Sequence, residues 1–87
     1  MLKSELLNKN VFENTAIISI SKYEDDLYSM EKWCYTNIGR PAEFIETVND
    51  ERRWCTNFGY IYGSPNVILF KFYREEDYFH FVLRWIE

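Results

Sequence analysis

Apolar and polar positions follow two rhythms along this chain, and the places where the rhythm changes mark its elements. Thr15 to Ser21 (TAIISIS) is short and β-branched, with Ile18 and Ile20 on one side and Ile17 on the other, and this predicts a strand buried on at least one side. From Tyr23 the period lengthens: Tyr23, Leu27, Met30, Cys34 and Ile38 recur at helical spacing. Glu24, Asp25 and Asp26 supply negative charge at its start, Gly39 closes it and Pro41 blocks its continuation. Trp33 falls off the apolar stripe of that helix, which puts it at the stripe's edge or in solvent.

Residues 40 to 50 carry no single rhythm, because Phe44, Ile45 and Val48 suit a helical turn while FIETV equally suits an edge strand; they are read as a connector. Period two returns at Arg52, with Trp54, Thr56, Phe58, Tyr60 and Tyr62 on one face and Cys55, Asn57, Gly59 and Ile61 on the other. Gly63-Ser64-Pro65-Asn66 is turn chemistry, and Val67 to Tyr73 returns as a second strand, so the pair is expected to form a β-hairpin. Glu75, Glu76 and Asp77 then prime a last helix from Tyr78 to Ile86, apolar nearly all round, with only His80 and Arg84 on a polar side.

The order is therefore β-α-β-β-α, preceded by an arm over residues 1–14 in which Leu2, Leu6 and Leu7 suit a turn or two of helix. The expected fold class is α+β: a small split βαβ, ferredoxin-like layout lacking its last strand, with both helices on one face of the sheet. Eighty-seven residues make one domain, with no Gly- or Ser-rich linker and no internal repeat.

Composition adds a surplus to this picture. Hydrophobic residues are 47% and aromatics 20% of the chain, comprising seven Phe, seven Tyr and three Trp. Each buried ring removes roughly 150–250 Å² from water, so a core is affordable without staples. Seventeen rings exceed what so small an interior holds, and those left at the surface are expected to mark a binding patch. Fourteen acidic against ten basic residues give a net charge of −4, which disfavours the phosphate attraction that dominates nucleic-acid affinity. Cys34 and Cys55 have no metal-ligand or CxxC spacing and are read as reduced, buried thiols, although spacing alone does not exclude their pairing. No secretion signal and no membrane-length apolar run stands in the sequence, so a cytoplasmic setting is expected.

Candidate chemistry is sparse. NFGYIYG, residues 57–63, matches the centre of the RNA-recognition motif K/R-G-F/Y-G/A-F-V-x-F/Y at Phe58, Gly59, Tyr60 and Ile61. Thr56, Asn57 and Gly63 stand where that motif wants a base, a glycine and an aromatic, and the companion strand AIISIS carries no ring to stack a second base. Cross-strand aromatic pairing explains the same residues at roughly 0.2–1 kcal/mol per pair. Arg52 and Arg53 beside Trp54 form the only adjacent basic pair, a composition that interface hot spots favour and that a solvated strand end explains equally. His80 has no partner set around it, and the chain holds no phosphate-cradling loop and no Ser/His/Asp set. No catalytic residue, cofactor or metal is expected.

From Arg52 to Trp85, RRWCTNFGYIYGSPNVILFKFYREEDYFHFVLRW resembles small uncharacterised proteins encoded by tailed phages, especially those of marine bacteria. The resemblance lies in an aromatic hairpin (Trp54, Phe70, Phe72), an acidic helix start (Glu76, Asp77) and a helix ending in Leu83-Arg84-Trp85. It implies an origin rather than an activity: a viral gene product acting in a bacterial host's cytoplasm or in the virion. The function expected from all of this is a non-enzymatic protein-binding module. It would occlude a host protein or assemble with a structural partner or a second copy of itself, through Arg52, Arg53, Phe58, Tyr60, Tyr62 and Trp33. The alternative is a single-stranded nucleic-acid binder that stacks bases on Phe58, Tyr60 and Tyr62. What separates the two is which face of the sheet the helices cover.

Overall fold

The computed structural model describes residues 13–61 and 64–86, with side chains at all of these except 58–61, 64 and 65. Its elements are β1 (Thr15–Ser19), a single helical turn α1 (Ile20–Tyr23), α2 (Leu27–Asn37), β2 (Trp54–Ile61), β3 (Ser64–Phe72) and α3 (Glu75–Trp85). The three strands form one antiparallel sheet in the order β1-β3-β2. Both outer strands run against β3 and so parallel to each other, joined through α1 and α2. This is the expected split βαβ arrangement, with the hairpin β2-β3 at one side.

Register sets the core. Phe70 of β3 lies opposite Ala16 on one side and Thr56 on the other, and Phe72 lies opposite Trp54. Side chains alternate across a strand, so Ala16, Ile18, Trp54, Ile68, Phe70 and Phe72 share one face. Both longer helices pack on that face: Met30 and Cys34 from α2 and Phe81 from α3 are fully buried there. Phe81 stacks on Phe70 with ring centroids 4.7 Å apart and tilts against Phe72 at 5.2 Å.

The opposite face is covered by the connector. Ala42 and Ile45 are buried against Cys55 and Leu69, with Val48 packed beside them. The Ala42 N–H donates to the Trp54 carbonyl at 2.7 Å, which anchors the connector to β2 before it turns as a short 3₁₀ helix, Ile45–Thr47. Thr47 holds that turn by accepting from the Phe44 N–H at 3.1 Å. Also on this face is Lys71, only 7% exposed, with its ammonium donating to the Glu13 carbonyl at 2.5 Å. Burial lowers the Lys71 pKa, opposed by the Glu13 charge.

Two local expectations are corrected. The first strand stops at Ser19 rather than Ser21, because the Ser19 hydroxyl caps α1 by accepting from the Lys22 N–H at 3.4 Å. The stretch from Tyr23 is not one helix: Glu24–Asp26 form an exposed turn between α1 and α2, and Asp26 makes no side-chain cap bond. Asp77 stands in the first turn of α3 as expected, and it is buried there, 6% exposed. Gly39, at φ 126°, ends α2 as expected, with the Ile38 and Gly39 N–H groups both donating to the Cys34 carbonyl. Cys34 and Cys55 are free and buried, and they lie on opposite faces of the sheet, where no disulfide can join them. Among the described residues no helix is long and apolar enough to cross a membrane.

Candidate partner-docking cleft

The outer surfaces of α2 and α3 meet in a cleft of about 310 Å³. α2 lines it with Ser29, Lys32, Trp33, Thr36 and Asn37, and α3 with Arg84 and Trp85. The five α2 positions are spaced i, i+3, i+4, i+7, i+8, a single stripe of a 3.6-residue helix. That stripe lies next to the buried one, since Met30 and Cys34 each sit one residue beyond a cleft position. Trp33 is consequently half-buried, its inner edge against Phe81 at a centroid distance of 6.0 Å and 67° between planes.

Among the described residues, the walls present two indoles, two cations and three neutral polar side chains, with no carboxylate. Arg84 lies over the Trp85 ring, its guanidinium carbon 4.0 Å from the centroid, within cation–π range. Lys32 sits 6.0 Å from the Tyr28 ring one turn earlier, at the outer limit of a cation–π contact. Neither cation takes part in an ion pair among the described residues. The Trp85 indole N–H is buried with no hydrogen-bond acceptor among the described residues. Asn37 is partly committed, its amide donating to the Trp33 carbonyl at 2.9 Å.

Of the residues expected to meet a partner whose side chains are described, Arg52, Arg53 and Trp33, only Trp33 lines this cleft. Arg52 is exposed near the start of β2 and reaches the Pro41 carbonyl at 3.3 Å. Arg53 is occupied within the chain, where Nε and Nη2 donate to the two carboxylate oxygens of Asp77 at 3.0 and 3.1 Å. That hydrogen-bonded pair raises the Arg53 pKa further above its ordinary value. Phe58 pairs with Ile68 in the ladder, and Ile68 belongs to the helix-covered core. The register shifts between Gly59 and Ile61, around Tyr60, and Tyr62 lies outside the described residues. Among the expected residues whose side chains are described, Trp33 lies on α2 at the cleft, while Arg52 and Arg53 lie just before β2 and engage Pro41 and Asp77.

The sequence reading missed Lys32, Arg84 and Trp85 as a group. A signal for half of the site was present: Ser29, Lys32, Trp33, Thr36 and Asn37 form a polar helical stripe interrupted by one large ring. Nothing local links that stripe to residues about 50 positions later, a connection that only the packing of α2 beside α3 makes. The surplus rings do reach the surface, but on separate elements: Tyr28 and Tyr35 on α2, Phe44 in the connector, Tyr73 after β3 and Phe79 on α3.

No protein-family model matches the chain, and no curated protein or solved structure matches it significantly. The geometry must carry the functional reading.

Proposed function

We propose that this chain is a non-enzymatic protein-binding module that docks a segment of a partner protein in the α2–α3 cleft. The observation that carries the reading is the cleft's composition. Tryptophan and arginine are the residues that most often dominate interface energetics, and here Trp33, Trp85 and Arg84 stand together in a concavity. The cleft is small by the standard of ligand pockets, which run to about 300–1,000 Å³, and suits one or two side chains of an extended segment. Docking of this kind acts by occlusion or assembly. The phage origin implied by the hairpin and last helix makes the partner a host bacterial protein or a phage structural protein.

A single-stranded nucleic-acid binder would need open rings on the sheet. Trp54, Phe70 and Phe72 are buried under the helices on the face where Phe58 pairs with Ile68, and this favours the protein-docking reading. The test is capture of partners from bacterial lysate by the tagged chain, with and without nuclease, beside a Trp33→Ala variant checked for folding by thermal melting. A stoichiometric protein that survives nuclease and is lost with Trp33→Ala supports the reading. Partners that vanish with nuclease, or that bind the variant equally, overturn it.

A further inference from the structure

We infer that the partner segment is acidic: one of its carboxylates is held between Lys32 and Arg84, while a neighbouring apolar or aromatic side chain lies against Trp33 and Trp85. The inference rests on the docking reading above and adds the partner's chemistry to it.

The argument is charge complementarity. The whole chain carries −4, yet among the described residues the cleft walls hold two cations and no carboxylate. The other cations with described contacts at salt-bridge range are already used, Arg53 by Asp77 and Arg74 by Asp50 and Glu76. The cleft lies near the C-terminal ends of both helices, whose dipoles contribute about −0.5 charge each. Two full cations outweigh that, leaving roughly +1 to attract an anion. Arg84 rests over the Trp85 ring within cation–π range, so part of its side-chain freedom is already restricted when its N–H groups meet a carboxylate. Lys32 adds three donors at the opposite wall.

Phosphate would satisfy the same cations, but nucleic-acid binding depends on many backbone contacts, and two cations on a body of net charge −4 do not supply them. A carboxylate on a peptide needs only these two. Hydrogen bonds to charged groups contribute about 1.5–3 kcal/mol each, so removal of the carboxylate should weaken binding about ten- to a hundredfold.

The experiment selects binders to the immobilised full chain from a displayed library of random short peptides, and measures affinities by fluorescence anisotropy at low and high salt. Lys32→Glu and Arg84→Glu are the main variants, because both side chains are exposed and their replacement leaves the core intact. The expected result is enrichment of Asp and Glu beside an apolar residue. Either charge reversal, or replacement of the peptide's Glu by Gln, should then weaken binding at least tenfold, with a further loss at high salt. Neutral or basic peptides that depend on Trp33 but not on Lys32 or Arg84 would overturn the acidic partner and leave the docking reading standing. Failure to select any peptide, or binders indifferent to Trp33 and both cations, would overturn both. A labelled single-stranded oligonucleotide that binds more tightly than the selected peptides, and is lost on charge reversal, would overturn the inference in favour of nucleic acid.

Discussion

Phe81 and Leu83 are two residues apart on α3 and similar in hydrophobicity, yet they occupy opposite environments. Phe81 is fully buried and in contact with Phe70, Phe72 and Trp33, whereas Leu83 is 66% exposed. Phe81→Ala should cost about 3–5 kcal/mol, the usual range for deleting a core ring. Leu83→Ala should stay within about 0.5 kcal/mol of the native chain. Chemical denaturation of the two variants side by side checks the assignment, and equal midpoints would mean that the helix is rotated from the orientation described. The apolar character of residues 78–86 was legible in the sequence, but the orientation was not. With Tyr78, Phe79, Phe81, Val82, Leu83, Trp85 and Ile86 all apolar, periodicity cannot say which side faces the sheet.

Between elements, two polar links fix how the helices meet the sheet. Arg53, just before β2, and Asp77, in the first turn of α3, form a two-pronged pair in which Asp77 keeps 8% and Arg53 25% of its side-chain exposure. Asp77→Ala should destabilise by about 2–3 kcal/mol. That is below the 3–5 kcal/mol typical of breaking a fully buried pair, because Arg53 retains access to water. Thermal melting that matches the native chain would show the pair to be dispensable. The second link joins the end of α2 to β2: Trp54 donates its indole N–H to the Gly39 carbonyl at 2.6 Å. Gly39→Ala meets no steric neighbour, but its φ of 126° strains any side-chain-bearing residue. A loss of about 1–3 kcal/mol is expected, and a crystal structure of the variant should show the Trp54 contact displaced. Sequence reading placed Gly39 correctly as a helix end, since that signal is local. It read Arg53 as a strand-end or contact residue and Asp77 as part of a helix start without their pairing, since charged residues 24 positions apart carry no sign of it until the strands align.

For the whole molecule, the sheet separates two buried environments, and the thiols and the ammonium buried in them titrate with opposite signs. Burial pushes the Cys34 thiol far above its ordinary range, with Glu31 and Asp77 adding to the effect, and raises Cys55 likewise, with help from Glu46. A thiol whose folded pKa is raised gives stability that is complete below its unfolded value of about 8.5 and is lost as pH climbs above it. Lys71 runs the other way: its lowered pKa means that the unfolded chain binds the proton more tightly, so this residue adds stability as pH rises towards about 10.4. Melting temperature against alkaline pH should therefore fall less steeply in Cys34→Ala and more steeply in Lys71→Met than in the native chain. Slopes that do not change in these directions would contradict the burial of these groups. The sequence by itself determined the order of elements, the hairpin, the β-α-β-β-α layout and the helical end at Gly39, because periodicity and turn chemistry act between near neighbours. Tertiary structure alone decided that the connector covers the second sheet face, that Arg53 is occupied by Asp77, and that Lys32 and Trp33 share a cleft with Arg84 and Trp85. Those outcomes depend on which distant positions the sheet register and helix packing bring within contact, and no local pattern encodes a distance between residues far apart in the chain.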